Sequence, residues 1–122
     1  MHNIHFYKDK RGKEPVLDYI QSLAGRSDKD SRIKATKIYS YIEYLQKEGL
    51  SSRAPYVKHL DDEIWELRPL KDRILFASWQ DDGFILLYHF IKKTQKTPQR
   101  EIAKAKRNLK KFKELKDNAR KK

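Results

Sequence analysis

The stretch best equipped for chemistry is His89-Phe90-Ile91-Lys92-Lys93-Thr94-Gln95-Lys96-Thr97-Pro98. It lies where an apolar strand gives way to a helix, so a rigid β edge delivers an imidazole and several cations to one point. Cations held on a strand can stabilise a phosphate whose charge grows in a transition state. Upstream, Glu66 and Arg68 share one side of an alternating run, and Arg73 follows a tight turn. The plain alternative is a basic strand-to-helix loop that keeps the surface solvated, and on this run alone both readings stand.

If the runs pair as an antiparallel meander, Arg68, Arg73, His89 and Lys93 converge near one end of a sheet. That set is sufficient for metal-free RNA cleavage. A base removes the 2′-hydroxyl proton, cations stabilise the pentacoordinate phosphate, and an acid protonates the leaving 5′ oxygen. Each residue also has a structural role open to it. Arg68 can simply pair with Glu66. Arg73 can be an exposed arginine whose truncation barely alters stability. His89 can be a packed, hydrogen-bonded core histidine. Trp65, Trp79, Phe84 and Phe90 read as core rather than as base-stacking platforms, and Phe76 is the aromatic left open. Other mechanisms find no support. The four glycines form no phosphate loop, no Ser or Cys sits in a nucleophile elbow, and His2, His5, His59 and His89 lack metal-ligand spacing.

The elements that must position these residues follow from the apolar period. Ile4 and Phe6 alternate as a first strand. Glu14-Pro15 opens a helix with Val16, Tyr19, Ile20 and Leu23 on one face, stopped by Gly25. Ser27 and Asp30 resemble a capping box for a second helix carrying Ala35, Ile38, Ile42 and Leu45, ended by Gly49. The two helices form an αα-hairpin. Val57 to Leu60 reads as a short strand, with Asp61-Asp62 as a turn. Ile64 to Arg68 is a strand with Trp65 and Leu67 on one face and Glu66 and Arg68 on the other. Arg73 to Trp79 is another, and Asp82-Gly83 signals a hairpin to Phe84–Ile91, a nearly continuous apolar run expected to be covered on both faces. Thr97 is expected to cap a last helix that packs Ile102, Ala105, Leu109 and Phe112 on the sheet. Residues 117–122 form a basic tail expected to fray. The fold class is α+β, in one domain spanning residues 1–122.

The net charge is +12, and between Lys104 and Lys122 ten Lys or Arg face only Glu114 and Asp117. The surplus is therefore concentrated in the last helix and tail, which implies a polyanionic partner, nucleic acid or ribosome first and an acidic protein second. The chain has no cysteine, no signal-peptide core and no apolar run of spanning length, so a cytoplasmic location and no membrane partner are expected.

Trp65-Glu66-Leu67-Arg68, Arg73-Ile74-Leu75-Phe76 and the run from His89 to Pro98 with Glu101-Ile102 resemble the signatures of the RelE/HigB toxin superfamily, closest to its phage-derived HigB-like branch. The resemblance implies a compact RelE-like fold whose sheet binds mRNA in the ribosomal decoding site. It implies a metal-independent endoribonuclease needing no cofactor, the toxin of a type II toxin–antitoxin system. It also implies a helix-turn-helix, HigA-like antitoxin that neutralises the toxin and represses the operon, so that operator DNA is met only through the antitoxin. Carried over residue by residue, the arginine opening the fourth strand falls on Arg73, and the basic residue ending the last strand on Lys93, with Lys92 beside it. Lys71, Lys92, Lys96 and Phe76 are expected to contact RNA. Where some relatives carry lysines on the third strand, this chain has Ile64 and Glu66, and a carboxyl-terminal tyrosine has no counterpart. Glu66 and His89 are the general bases this sequence offers. The rival reading is a non-catalytic basic module that binds RNA or the ribosome through the same face.

Overall fold

Apolar periodicity sets the elements, and the computed structural model describes them over residues 1–51, 56–81 and 83–120. Strand β1 (Asn3–Phe6) is followed by helix α1 (Pro15–Ala24), where Pro15 occupies a position whose missing N–H costs nothing. Helix α1 buries Val16, Ile20 and Leu23; helix α2 (Lys29–Glu48) buries Ala35, Ile38, Ile42 and Leu45. The cap of α2 is Asp28, one residue later than the capping box placed it. Its carboxylate accepts from the Ser31 N–H at 3.0 Å, and a negative charge there also meets the positive end of the helix dipole. Gly49 ends α2 at φ 60° and ψ −145°, a region open essentially to glycine.

Four strands and a helix complete the chain: β2 (Val57–Asp61), β3 (Ile64–Leu67), β4 (Asp72–Trp79), β5 (Gly83–Ile91) and α3 (Gln99–Arg120). The sheet order is β1-β5-β4-β3-β2. The anticipated meander is antiparallel, and β1 adds to its far side in parallel with β5. The αα-hairpin covers one face, over Leu67, Ile74, Phe76, Phe84 and Leu86. Helix α3 covers the other, where Ala105, Leu109 and Phe112 meet Ile64, Leu75, Ala77, Ile85 and Leu87. The result is an α+β fold with β5 buried from both sides.

Strand β5 contains one residue more than β4 can match. Leu75 pairs with Tyr88, but Phe76 pairs with Leu86, so Leu87 is a bulge. Leu87 and Tyr88 consequently both face α3. Beyond the bulge the alternation is inverted: His89 turns toward the αα-hairpin, and Phe90 toward α3.

Some local expectations change. Asp82 lies outside the described residues; on the near side of the hairpin it is Gln80 that takes a positive φ, 59°. The Thr97 hydroxyl bonds the Glu66 carboxylate rather than capping α3. Helix α3 continues to Arg120, past the expected fraying point, although no residue beyond Phe112 is buried among those described; Lys121 and Lys122 lie outside the described residues. Two α3 cations serve the fold itself. Lys106 reaches Asp61 at 2.6 Å and Asp62 at 3.3 Å, and Lys113 reaches Glu63 at 2.8 Å, tying α3 to the β2–β3 turn. No helix among the described residues is long and apolar enough to cross a membrane.

Candidate functional site

The backbone brings two loops together at one end of the sheet. The Lys92 N–H donates to the Lys71 carbonyl at 2.7 Å, joining the end of β5 to the β3–β4 turn. Between them runs an open groove of about 730 Å³, lined by Lys71, Arg73, Lys92 and Lys93 with Leu70, Thr94 and Gln95. Four cations and no carboxylate, among the described residues, line it. Such a surface attracts a phosphodiester.

Behind the groove stands a buried charge cluster. Glu66 is 2% exposed. Its Oε1 lies 3.5 Å from Arg68 Nε and 3.8 Å from Arg73 Nε, and its Oε2 accepts from the Thr97 hydroxyl. Arg73 is itself only 6% exposed, and its Nη1 donates to the carbonyls of Leu70 at 2.8 Å and Asp72 at 2.9 Å. Burial pushes the Arg73 pKa down while Glu66 opposes this, and a guanidinium remains charged regardless. Arg73 is thus a fixed cation at the groove's floor. The expectation that it is exposed is corrected: its side chain fills a socket shaped by β3, β4 and the turn.

On the opposite face, the neighbouring residue Asp72 organises a second cluster. Asp72 is fully buried. Its Oδ1 accepts from the Tyr19 hydroxyl at 2.7 Å, pairs with His89 Nε2 at 2.9 Å, and lies 3.6 Å from Lys34 Nζ. A carboxylate can only accept, so Nε2 carries the proton. The Tyr19 and His89 rings stack at 3.7 Å. Burial alone raises the Asp72 pKa, but the hydrogen bonds from His89 and Tyr19 and the charge of Lys34 outweigh it and hold the carboxyl below its ordinary value. The Lys34 ammonium is raised, chiefly by its interaction with Tyr19.

The anticipated convergence is therefore split across the sheet. Arg68, Arg73 and Glu66 gather on the α3 face, Lys71, Lys92 and Lys93 rim the groove, and His89 faces the αα-hairpin with Asp72. Arg68 is partly exposed beside Glu66 but does not line the groove. Lys96 is exposed and also lies outside it. Phe76 must be removed from the RNA-contacting set: it is fully buried, packed edge-on against Phe84, because strand alternation points it into the core. Phe90, read as core, is half-buried and lines a cleft beside the groove. Thr97, Asp72 and Tyr19 went unrecognised as site residues. For Thr97 and Tyr19 the partner lies 31 and 53 residues away, and no local pattern encodes such a pairing.

The family model "Phage derived protein Gp49-like (DUF891)" matches residues 27–110, from just before α2 into α3. No curated protein matches the chain.

Proposed function

Because this chain belongs to the Gp49-like phage-derived family, a RelE-like family associated with the toxins of toxin–antitoxin systems, we propose that it is a HigB-type, ribosome-dependent mRNA endonuclease acting in the cytoplasm. The four-cation groove carries this reading. Arg73, Lys71, Lys92 and Lys93 hold the scissile phosphate and neutralise the charge it gains as the 2′ oxygen attacks. Of the two base candidates, Glu66 shares the Arg73 face, whereas His89 faces away with Nε2 occupied by Asp72. The half-buried Thr97 hydroxyl already donates to Glu66. It takes the 2′-hydroxyl proton while passing its own to the carboxylate. Lys93 gives a proton to the departing 5′ oxygen as the P–O5′ bond breaks. The basic face of α3 adds a general attraction to rRNA. An antitoxin partner follows from the family, and a helix-turn-helix protein of HigA type is the form proposed.

Glu66 is so thoroughly paired that one rival deserves statement: a binder that holds RNA on the same groove without cutting it. A single experiment separates the two. Purified ribosomes are programmed with a message carrying one 2′-deoxy nucleotide just upstream of the cut bond. The normal message should yield a 2′,3′-cyclic or 3′-phosphate upstream and a 5′-hydroxyl downstream, and the 2′-deoxy message should bind but stay whole at that bond. Cutting of the 2′-deoxy message, or products with 5′-phosphates, overturns the mechanism. Binding with no new ends on either message establishes the binder.

A further inference from the structure

We infer that Tyr19 and Lys34, on the αα-hairpin, are positioning residues for the cation groove and act through Asp72; the inference rests on the RNA-cleaving reading above. Asp72 joins the two faces of the sheet. On the hairpin face its Oδ1 meets the Tyr19 hydroxyl of α1, Lys34 Nζ of α2 and His89 Nε2 of β5. On the groove side its backbone holds the turn. Its N–H donates to the Pro69 carbonyl at 3.0 Å, and its carbonyl accepts from Arg73 Nη1 at 2.9 Å. One residue earlier, the Lys71 carbonyl takes the Lys92 N–H. A shift of the Asp72 carboxylate therefore moves Arg73, Lys71 and Lys92 together.

Two further observations assign this cluster to the groove rather than to stability. Leu70 lies among these hydrogen bonds at φ 54°, in the left-handed region that a bulky side chain rarely adopts. It is 49% exposed, so no packing of its own holds it there. Such backbone persists only where the surroundings over-determine it. The surroundings here are Arg73, which binds the Leu70 carbonyl, and Asp72, which closes the turn. The second observation is Asp72 Oδ2, which is buried and has no hydrogen-bond partner among the described residues. A buried carboxylate with an unmet acceptor is a poor stabilising device, and apolar residues of like volume often serve a fold as well. What the anchored carboxylate supplies is a fixed place for the turn. Displacing a group by about 1 Å from its reacting position can slow a reaction roughly 10²-fold.

The test is single-turnover cleavage on ribosomes programmed with mRNA, with the protein in excess over ribosomes. The rate at saturation reports the chemical step, and the half-saturating concentration reports docking. Tyr19→Phe keeps the ring stacked on His89 but loses the hydroxyl, and Lys34→Met keeps most of the length but loses the charge. Each should cut about tenfold more slowly at saturation, with half-saturation within about twofold of wild type. Lys34→Arg should restore the rate. Ile20→Val, buried in the same helix as Tyr19, should lower the melting temperature without slowing the saturated rate. All variants are assayed well below their melting temperatures. Saturated rates of Tyr19→Phe and Lys34→Met equal to wild type, beside a slow Lys93→Ala, overturn the inference and spare the RNA reading. Slowing of Ile20→Val by as much as Tyr19→Phe also overturns it, since loosened packing then explains the loss. Wild-type protein that docks on ribosomes and leaves no new RNA ends overturns the RNA reading, and the inference falls with it.

Discussion

Truncating Arg73 should damage the fold before it informs on catalysis. Arg73→Ala leaves Glu66, 2% exposed, with Arg68 as its remaining cation and deprives the Leu70 and Asp72 carbonyls of a donor. A charge pair 3.8 Å apart attracts by roughly 4 kcal/mol at an effective dielectric of about 20. Removing one partner of a buried pair costs about 3–5 kcal/mol, and the surviving Arg68 places this case near the lower end, at about 3 kcal/mol. For a chain of this size that corresponds to a fall in melting temperature of roughly 12 °C. The assay is thermal unfolding by circular dichroism beside urea titration of the same samples. The double variant Glu66→Gln, Arg73→Ala should regain about 1 kcal/mol or more, because it no longer buries an underpaired charge. A single variant melting within about 3 °C of wild type would refute the buried-pair argument, and loss of toxicity in it could then be read directly as catalytic.

Other consequences are separable. Asp72 has a folded pKa below its unfolded one, so the unfolded chain binds more protons as the pH drops. Its stabilisation is therefore present above about pH 4 and is lost as pH falls through the lowered value; Asp72→Asn should be less stable at pH 7 and show a flatter acid branch in pH-dependent melts. Glu66→Gln and Thr97→Val should each lower cleavage on programmed ribosomes by roughly 10²-fold or more, with Thr97→Ser largely active. His89→Gln should chiefly lower stability, and a folded His89→Gln protein that binds mRNA but fails to cut it would return the base to His89. Removing residues 117–122 should preserve the fold, since no described residue beyond Phe112 is buried, while reducing the salt dependence of ribosome association; an unchanged slope would assign that charge elsewhere.

What could be read from sequence depended on whether a residue's neighbours were near in the chain. The helices were legible because Val16, Ile20, Leu23 and Ala35, Ile38, Ile42, Leu45 repeat at helical spacing. Trp65 and Leu67 against Glu66 and Arg68 gave both faces of β3 correctly, because alternation there is clean. Strand β5 offers no such alternation: it is apolar almost throughout, so the bulge at Leu87 leaves no trace, and the side taken by His89 could not be deduced. The burial of Arg73 was equally hidden. It depends on a carboxylate from β3, two turn carbonyls and the folding back of Thr97, none of which alters the local pattern. The basic tail was legible as charge, but not the diversion of Lys106 and Lys113 to the β2–β3 turn.

The bulge also bears on how such a protein can change over generations. Deleting the codon for Leu87 would restore an unbroken ladder and leave Tyr88, His89 and Phe90 opposite Leu75, Ile74 and Arg73, where they already stand. The imidazole would stay among Tyr19, Asp72 and Lys34, and the Phe90 ring would keep the face it shares with Arg73. A lineage can thus gain or lose one residue in the middle of its buried strand without moving any group at the strand's end. Among descendants of a common ancestor, the length of this strand can drift while the proton-transfer groups and the cations that seat the phosphate stay where they are.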